Sequence, residues 1–406
     1  MPSDASARDV DVILFGATGF TGRQTVGYFT RHAPAGLRWA IAARSRAKLE
    51  LVRAEAGKGA SAVELIVADA KDQRSVDAMV ARTRVVASTA GPFALHGTPI
   101  VDACVRLGTH YADITGESPW VRELIDRYHA KAVADGTRIV NFCGFDSVPA
   151  DIGTYLLVRA LRESGTGCAE VRAYYRMAGG LNGGTIASMA NMYRSGSGNR
   201  LGDPFLLDPP NAHSPTQSAK SRDVRDPFFD ERIDSWVGPF LMAVVNTRAV
   251  RRSAALWSER GAPYGSEFTY QEYARYGQPL AAAKAIVTTA VLGLVDAGMR
   301  TSLGRELFTS MLKPGAGPSS ATMDRGFFRT DLVATGEDGR TMRCTIAHQG
   351  DPGNRATVRF LSESALALAV DGDSLPAGGG VLTPATALGE VLVRRLRAAG
   401  VELTVE

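Results

Sequence analysis

The chain has 406 residues, of which 45% are hydrophobic and 22% charged, the balance of a soluble globular protein. This length favours two domains, and a net charge of +4 spread along the chain gives no reason to expect nucleic acid as a partner. The four cysteines show no C-x-x-C spacing, so we predict a reducing, cytoplasmic location and no metal site.

The first apolar segment ends in a glycine-rich turn. Residues 12–15 favour a strand, and glycines follow in the spacing G-x-x-G-x-x-G before a helical pattern begins. Small residues let a pyrophosphate approach the backbone, and the unpaired N–H groups of the new helix point towards it. The alternative is a turn that serves only close packing. The predicted dinucleotide site comprises Gly16, Ala17, Thr18, Gly19, Phe20, Thr21 and Gly22.

A second strand, predicted at 37–43, ends in a cluster of cations. NAD-selective folds place an acidic residue at this point to bind the ribose 2′-hydroxyl, whereas this chain offers Arg44, Ser45 and Lys48. A 2′-phosphate suits such a cluster, so we predict that NADPH is preferred over NADH. The alternative is a solvated helix start that carries surface cations.

Two more strands, predicted at 64–68 and 85–89, end in further cofactor positions. We expect Asp69 near the adenine. We expect the loop after the fourth strand to place backbone without large side chains under the nicotinamide half of the cofactor; this loop contains Ala90, Gly91 and Pro92. His96 follows in the same loop, where a lone histidine is more often a surface residue.

The segment 111–117 and a strand at 138–142 bring polar side chains towards the same edge, with helices predicted at 99–107 and 120–134. Because the carboxyl ends of parallel strands collect at one edge of a sheet, we expect four side chains near the reactive end of the cofactor, namely Tyr111, Asp113, Asp146 and Ser147. The alternative is that Asp146 or Ser147 caps the helix predicted at 152–161.

The second half of the chain shows a different pattern. A strand is predicted at 170–177, and residues 194–234, rich in Pro, Asp, Ser and Gly, are predicted to form a mobile loop over a site. The helical pattern at 236–256 carries three cations that could hold a phosphate or carboxylate, although a solvated helix face is the more common explanation. These cations are Arg248, Arg251 and Arg252.

An apolar helix is predicted at 279–294. Its longest apolar run, 285–295, is too short to cross a bilayer, so we expect a packed core helix, with a membrane-surface contact as the alternative. A strand is predicted before this helix, at 264–273. After the helix we predict a rigid turn at 313–318, an antiparallel meander at 327–336, 340–348 and 356–361, and a final helix at 383–398.

These elements predict an α/β fold: a Rossmann-type doubly wound parallel sheet with an inserted α+β second domain. The dinucleotide-binding domain is predicted to be discontinuous, covering 1–152 plus about 378–406. The substrate and dimerisation domain is predicted to cover 153–377.

Several motifs together resemble the saccharopine-dehydrogenase-like oxidoreductases, and within them the trans-acting enoyl reductases of bacterial lipid polyketide synthesis. The broader motifs are FGATGFTG at 15–22, AGPF at 90–93, YADITGE at 111–117 and GFDSVPAD at 144–151. The narrower ones are GGT at 183–185, PFLM at 239–242, NTR at 246–248, VRRS at 250–253, KPGAGP at 313–318 and LTPAT at 382–386.

The resemblance implies NADPH-dependent reduction of a carbon–carbon double bond conjugated to a thioester. The substrate would be an acyl chain on a carrier protein or CoA, with a polyketide synthase as a partner. We also expect a homo-oligomer in the cytoplasm, with peripheral membrane contact as an open option. The three arginines at 248, 251 and 252 would then meet a phosphopantetheine phosphate.

The proton donor stays open at this point among Tyr111, a carboxyl group and water, because the chain shows no fixed donor motif and has no Tyr-x-x-x-Lys pair. Two other functions stay open as well. One is a saccharopine-reductase-like oxidoreductase acting on a small polar imine or amino-acid substrate. The other is a scaffold protein that binds NADPH without turnover.

Overall fold

The computed structural model of the protein describes residues 8–180, 182–210, 213–311 and 315–406. The strands are β1 Val10–Phe15, β2 Trp39–Ala43, β3 Glu64–Val67, β4 Thr83–Ser88, β5 His110–Asp113, β6 Arg138–Val140, β7 Cys168–Ala178, β8 Phe228–Asp230, β9 Ser235–Pro239, β10 Thr269–Tyr276, β11 Phe327–Gly336, β12 Thr341–Gln349, β13 Gly380–Leu382 and β14 Glu402–Val405.

The helices are α1 Phe20–His32, α2 Arg46–Glu55, α3 Gln73–Ala81, α4 Phe93–His96, α5 Thr98–Leu107, α6 Ser118–Asp135, α7 Val148–Glu163, α8 Gly183–Arg194, α9 Pro215–Lys220, α10 Ala243–Glu259, α11 Ala281–Arg300, α12 Ser302–Met311, α13 Ser320–Arg325, α14 Thr357–Val370, α15 Pro384–Ala387 and α16 Gly389–Ala398. Short 3₁₀ turns lie at Lys58–Ala60, Ser197–Gly202 and Gly372–Ser374, and a π turn lies at Pro352–Ala356.

The first sheet has the strand order β13-β6-β5-β4-β1-β2-β3, and its strands pair in parallel. Helices cover both faces, which is why β1 is buried along its whole length and reads as a continuous apolar run. The strand order reverses direction beside β1, and this is the switch point at which such sheets bind ligands. The predicted Rossmann-type sheet is confirmed.

The second sheet is mixed, with the order β14-β12-β11-β7-β10-β9-β8. Its central strand β7 pairs in parallel with β10 and antiparallel with β11. Helix α7 packs on the inner face so closely that a Cβ at Gly153 would lie 2.8 Å from Leu332 Cδ1. The second, α+β unit expected from the sequence is therefore present. After β12 the chain returns to the first sheet through β13, and β14 then completes the edge of the second sheet.

Several predicted elements of the second half differ from the structure, including the strand predicted at 264–273, which spans Thr269–Tyr276. Residues 356–361, predicted as a strand, form the end of the π turn and the start of α14. A helix buried on nearly all sides carries no polar face that would reveal its period. The predicted helix at 236–256 begins only at Ala243, since residues before it form β9.

The segment 194–234 is more structured than the mobile loop expected from its composition. Within its described residues it contains the 3₁₀ turn Ser197–Gly202, the helix α9 and the strand β8. Buried arginines of α10 bind its backbone carbonyls and so hold it against the second domain.

Helix α11 does not pack in the core, and the expectation of a core helix is wrong. Only 11% of its most apolar 18-residue window is buried, and by length and composition the helix could span a bilayer. The predicted rigid turn at 313–318 lies partly outside the described residues. From residue 315 onwards it packs beside the glycine turn, where a Cβ at Gly317 would lie 2.3 Å from the Phe20 ring.

Candidate dinucleotide and substrate site

Two positions of the glycine turn leave no room for a side chain. Gly16 adopts φ +84°, and a Cβ there would lie 2.9 Å from the backbone N of Ala90. A Cβ at Gly22 would lie 2.2 Å from the carbonyl oxygen of Gly16. The start of α1 therefore rests directly on the end of β1 and on the loop after β4, in the arrangement that lets a pyrophosphate approach the backbone.

The first turn of α1 offers unpaired donors to an anion. Gly19 at the N-cap provides no side-chain cap. Among the described residues, the N–H groups of Thr18, Phe20, Thr21 and Gly22 have no acceptor. Unpaired N–H groups at a helix N-terminus form an anion site, so the turn fits the pyrophosphate of a dinucleotide.

The end of β2 carries a cation with no partner in the described part of the chain. Arg44 is exposed and makes no ion pair there. Ser45 caps α2 by accepting a hydrogen bond of 3.4 Å from the backbone N of Lys48, whose side chain is exposed. The arginine is thus free to meet a 2′-phosphate at the adenosine end.

Asp69 and His96 lie close to this cation. The Asp69 carboxylate accepts a hydrogen bond of 3.0 Å from the backbone N of Lys71 and so shapes the turn after β3. Burial lowers the pKa of His96, and the charges of Arg44 and Lys71 lower it further. A neutral His96 therefore stands at the edge of the adenosine region.

The loop after β4 is held by a buried carboxylate that the sequence analysis did not single out. Glu117 accepts hydrogen bonds from the backbone N of Phe93 (2.7 Å) and of Ala94 (3.1 Å), and from Ser188 Oγ of α8 (2.7 Å). Burial raises the pKa of Glu117. The carboxylate links the loop containing Ala90, Gly91 and Pro92 to the second domain. Only the motif YADITGE gave any signal of it.

Tyr111 does not reach the cleft. Its side chain is fully buried between the first sheet and helices α5 and α6, and its neighbours Ser88 and Asp113 are also 0% exposed. A group in this position cannot contact a substrate, so its placement does not support Tyr111 as a proton donor.

Asp146 and Ser147 follow β6 on the nicotinamide side of the switch point. Ser147 is fully buried at the N-cap of α7, yet its side chain makes no capping hydrogen bond. Asp146 keeps part of its surface accessible and has no hydrogen-bond partner among the described residues. Burial of its surroundings raises the pKa of Asp146 to about 7. A carboxyl that carries a proton near neutral pH is suited to general acid catalysis.

A polar network of the second domain lies beside Asp146. Glu272 accepts hydrogen bonds from the hydroxyls of Tyr175 (3.0 Å) and Tyr270 (2.7 Å) and from Asn246 Nδ2 (3.0 Å). Burial raises the pKa of Glu272 to about 7, and the nearby Asp146 adds to the increase. Sequence reasoning missed this network because its members lie on separate strands and a helix and share no motif.

The three arginines expected to hold a phosphate are buried and committed to protein contacts. Arg248 forms a two-pronged ion pair with Asp223 and also donates to the carbonyl of Asp203, 3.2 Å away. Arg251 donates to the carbonyls of Pro204 (2.8 Å) and Tyr270 (2.9 Å). Their placement does not support a phosphate site.

Arg252 is likewise only 4% exposed. Its guanidinium lies 3.4 Å from His129 Nδ1, inside the fold. Burial lowers its pKa and that of Arg251. All three side chains therefore stabilise the packing of α10.

Comparisons with known proteins agree with this geometry. The saccharopine dehydrogenase NADP binding domain matches residues 12–140, the region that contains the glycine turn, Arg44 and the loop after β4. The first domain therefore binds NADP(H). Saccharopine dehydrogenase (L-Glu forming) from Saccharomyces cerevisiae has the same fold, with a TM-score of 0.53 at 15% identity, covering 98% of this chain and 99% of that chain.

Relatives in mycobacteria match over nearly the full length. One from Mycobacterium tuberculosis is 39% identical over 417 residues, which is 98% of both chains. A protein of Mycobacterium bovis named trans-acting enoyl reductase is 38% identical over 414 residues, which is 97% of both chains. The chain therefore belongs to the family of the trans-acting enoyl reductases, oxidoreductases built on the saccharopine dehydrogenase fold.

Proposed function

We propose that this chain is an NADPH-dependent enoyl reductase, which reduces the double bond of an enoyl thioester carried on a carrier protein or on CoA. The observation that carries the proposal is the position of Asp146. This partly accessible, unpartnered carboxyl stands at the nicotinamide side of the dinucleotide edge and faces the second domain.

The residues present suit NADPH as the cofactor. The donors of Thr18, Phe20, Thr21 and Gly22 would bind the pyrophosphate, and Arg44 would bind the 2′-phosphate. When bound, the cofactor supplies a hydride to the β-carbon of the enoyl group. Glu117 keeps the loop after β4 in place by holding the N–H groups of Phe93 and Ala94.

Asp146 would supply the proton that the α-carbon needs. Its raised pKa, about 7, keeps a proton on the carboxyl in a large fraction of molecules at neutral pH. The negative charge of a deprotonated Glu272 nearby would favour the protonated form of Asp146 still further. The three donors on Glu272 hold that neighbour in one orientation.

The buried arginines of α10 bear on the choice between an acyl chain and a small polar substrate. A substrate with several carboxylates needs converging cations. The three arginines of α10 are buried elsewhere, so this feature weighs against an imine or amino-acid substrate.

The family name also supplies a partner for the proposal. A trans-acting reductase works on a chain that another enzyme carries, so we propose that a polyketide synthase delivers the acyl chain. The predicted homo-oligomer stays a prediction.

The test is NADPH oxidation, followed by absorbance, with enoyl-CoA thioesters of increasing length and with the same chains on a carrier protein. Saturable turnover that rises with chain length and is lost in Asp146→Asn supports the proposal. Tight NADPH binding with no turnover of any thioester would favour the scaffold function. Turnover of an imine substrate alone would favour the saccharopine-reductase-like function.

A further inference from the structure

Helices α11 and α12, with Thr301 between them, form a surface that we call the apolar hairpin. Seven large apolar side chains on or just before these helices are between 50% and 78% exposed. They are Leu280, Ile286, Val287, Val291, Leu294, Leu303 and Leu307.

The exposed residues of α11 form one continuous stripe. The exposed apolar positions 283, 286, 287, 290, 291, 294 and 297 have the spacing of a single helix face, and Lys284, Gly293 and Arg300 are exposed beside them. Between Lys284 and Asp296 this helix contains no charged residue. Its opposite side is anchored, because Ala281, Ala285 and Met299 are buried against the second domain. Burial of the opposite side therefore fixes the orientation of α11, with the stripe facing outwards.

The hairpin also offers few polar groups to a partner. The hydroxyls of Thr289, Thr309 and Ser310 donate to backbone carbonyls of their own helices at 2.8, 2.8 and 2.7 Å. Thr301 does the same to Gly298, at 2.9 Å. Protein–protein interfaces carry about one hydrogen bond per 100–200 Å². A face on which these four hydroxyls are already satisfied suits hydrocarbon better than another protein surface.

The size of the stripe argues against a second copy of the chain as the occupant. A 20-residue helix is about 30 Å long and about 10 Å wide. The footprint of α11 is of the order of 300 Å², and the 10-residue α12 adds about 150 Å², whereas a stable interface buries about 800 Å² on each partner.

The charges around the stripe are complementary to anionic lipid. Lys284 lies in the first turn of α11 and Arg300 ends this helix, and Arg305 lies in α12. Arg194 ends the neighbouring helix α8, and Arg225 lies within electrostatic reach of Asp296. Among the described residues, the carboxylates here are Asp226, Asp296 and Glu306. Asp296 pairs with Arg300 at 3.0 Å, which leaves four cations against two carboxylates.

We propose that the apolar hairpin inserts into the headgroup region of an anionic bilayer, with α11 lying along the membrane plane. The apolar stripe enters the upper acyl region, and the cations at its rim bind lipid phosphates. This inference goes beyond the proposed reductase activity and does not depend on it.

The test is co-sedimentation of the full-length protein with vesicles of phosphatidylcholine, either alone or mixed with phosphatidylglycerol. We expect binding to the mixed vesicles that weakens as salt is raised, since each cation at an anionic surface contributes about fivefold. The variant Leu294→Gln/Leu303→Gln should bind at least about tenfold more weakly. Leu51→Gln, at a 62% exposed leucine on α2, is the matched control and should bind like the parent protein.

Three outcomes would overturn the proposal. The parent protein could remain in the supernatant with both vesicle types, or the double variant could bind as well as the parent. Light scattering could instead show a dimer that the double variant dissociates, and without vesicle binding the hairpin would then be an interface between copies. Circular dichroism and NADPH binding of each variant report that it is folded.

Discussion

Ser188 of the second domain donates a hydrogen bond of 2.7 Å to the Glu117 carboxylate of the first. The same carboxylate holds the backbone N–H of Phe93, 2.7 Å away, in the loop expected under the nicotinamide. The position of this loop therefore depends on how the second domain docks, and the cofactor site is not a property of the first domain alone.

Ser188→Ala should weaken both folding and cofactor binding. A hydrogen bond to a charged group contributes about 1.5–3 kcal/mol, so we expect the free energy of unfolding to fall by about 1–2 kcal/mol at this partly exposed site. The Kd for NADPH should rise several-fold in a fluorescence titration. Ser61→Ala, at an exposed serine, is the control. Unchanged NADPH affinity would show that the link is purely structural.

Gly22→Ala should abolish NADPH binding or folding, because its Cβ would lie 2.2 Å from a backbone oxygen. Gly27→Ala on the same helix is the matched control, since its Cβ would lie 3.5 Å from the flexible end of Arg31. Alanine in a helix interior is favoured over glycine by about 0.5–1 kcal/mol, so Gly27→Ala should be tolerated or stabilising. Thermal denaturation with and without NADPH measures both effects.

Arg44→Gln should weaken NADPH binding by about ten- to a hundredfold, the equivalent of one charge-assisted hydrogen bond, and leave NADH binding unchanged. Arg31→Gln, on the last turn of α1, removes the same charge elsewhere and should change neither. Calorimetric titration with both cofactors distinguishes the cases. Equal losses for NADPH and NADH would mean that Arg44 supports the fold and does not bind the phosphate.

Asp146→Asn should lower kcat by about a hundredfold or more, the usual contribution of a general acid. In the parent protein we expect kcat to fall as pH rises above about 7, since Asp146 then loses its proton. If Asp146→Asn is slower but its kcat still falls above about pH 7 as in the parent protein, the proton comes from a different donor, such as water.

The same residue should influence stability in a predictable direction. The pKa of Asp146 rises from 3.8 to about 7 on folding, so the folded state holds the proton more tightly. The contribution of Asp146 to the free energy of unfolding therefore declines as pH rises from about 4 to 7, and above pH 7 the ionised carboxyl destabilises the fold. Asp146→Asn should be more stable than the parent at pH 8 and less pH-dependent, as measured by denaturant titration at several pH values.

Arg248→Met should destabilise the fold without changing the KM for a carrier-bound substrate. Removing one partner of a buried ion pair costs about 3–5 kcal/mol, and Asp223 would lose its guanidinium. Arg222→Met, at an exposed arginine, should have little effect. A raised KM with unchanged stability would restore the view that Arg248 binds phosphate.

The first domain could be predicted well from the sequence, and the reason is local. The strands around Gly16, Arg44 and Gly91 alternate with helices, and glycines mark the turns at which only backbone can fit. The second domain was harder. The strand predicted at 356–361 is part of α14, and the core helix predicted at 279–294 extends to Arg300 and faces outwards.

In the candidate site, too, residues within a local motif could be predicted, whereas residues brought together only by the tertiary fold could not. Residues within motifs, such as Asp146 and the glycine turn, lie at the predicted edge. Glu272 and Tyr175 lie about a hundred residues apart in sequence, and only the pairing of β7 with β10 brings them together. No periodicity or spacing marks such a pair, because contacts across a sheet depend on register.

The backbone passes between the two sheets at α7, between β12 and α14, and between β13 and β14, within the described ranges. A single linker would let the two domains rotate about one point. With three separate crossings, all three segments must change conformation before the domains can move apart. Wide opening of the cleft is thereby restrained, so under the proposed function an acyl chain would enter through small sliding movements of the domains or from one end of the cleft.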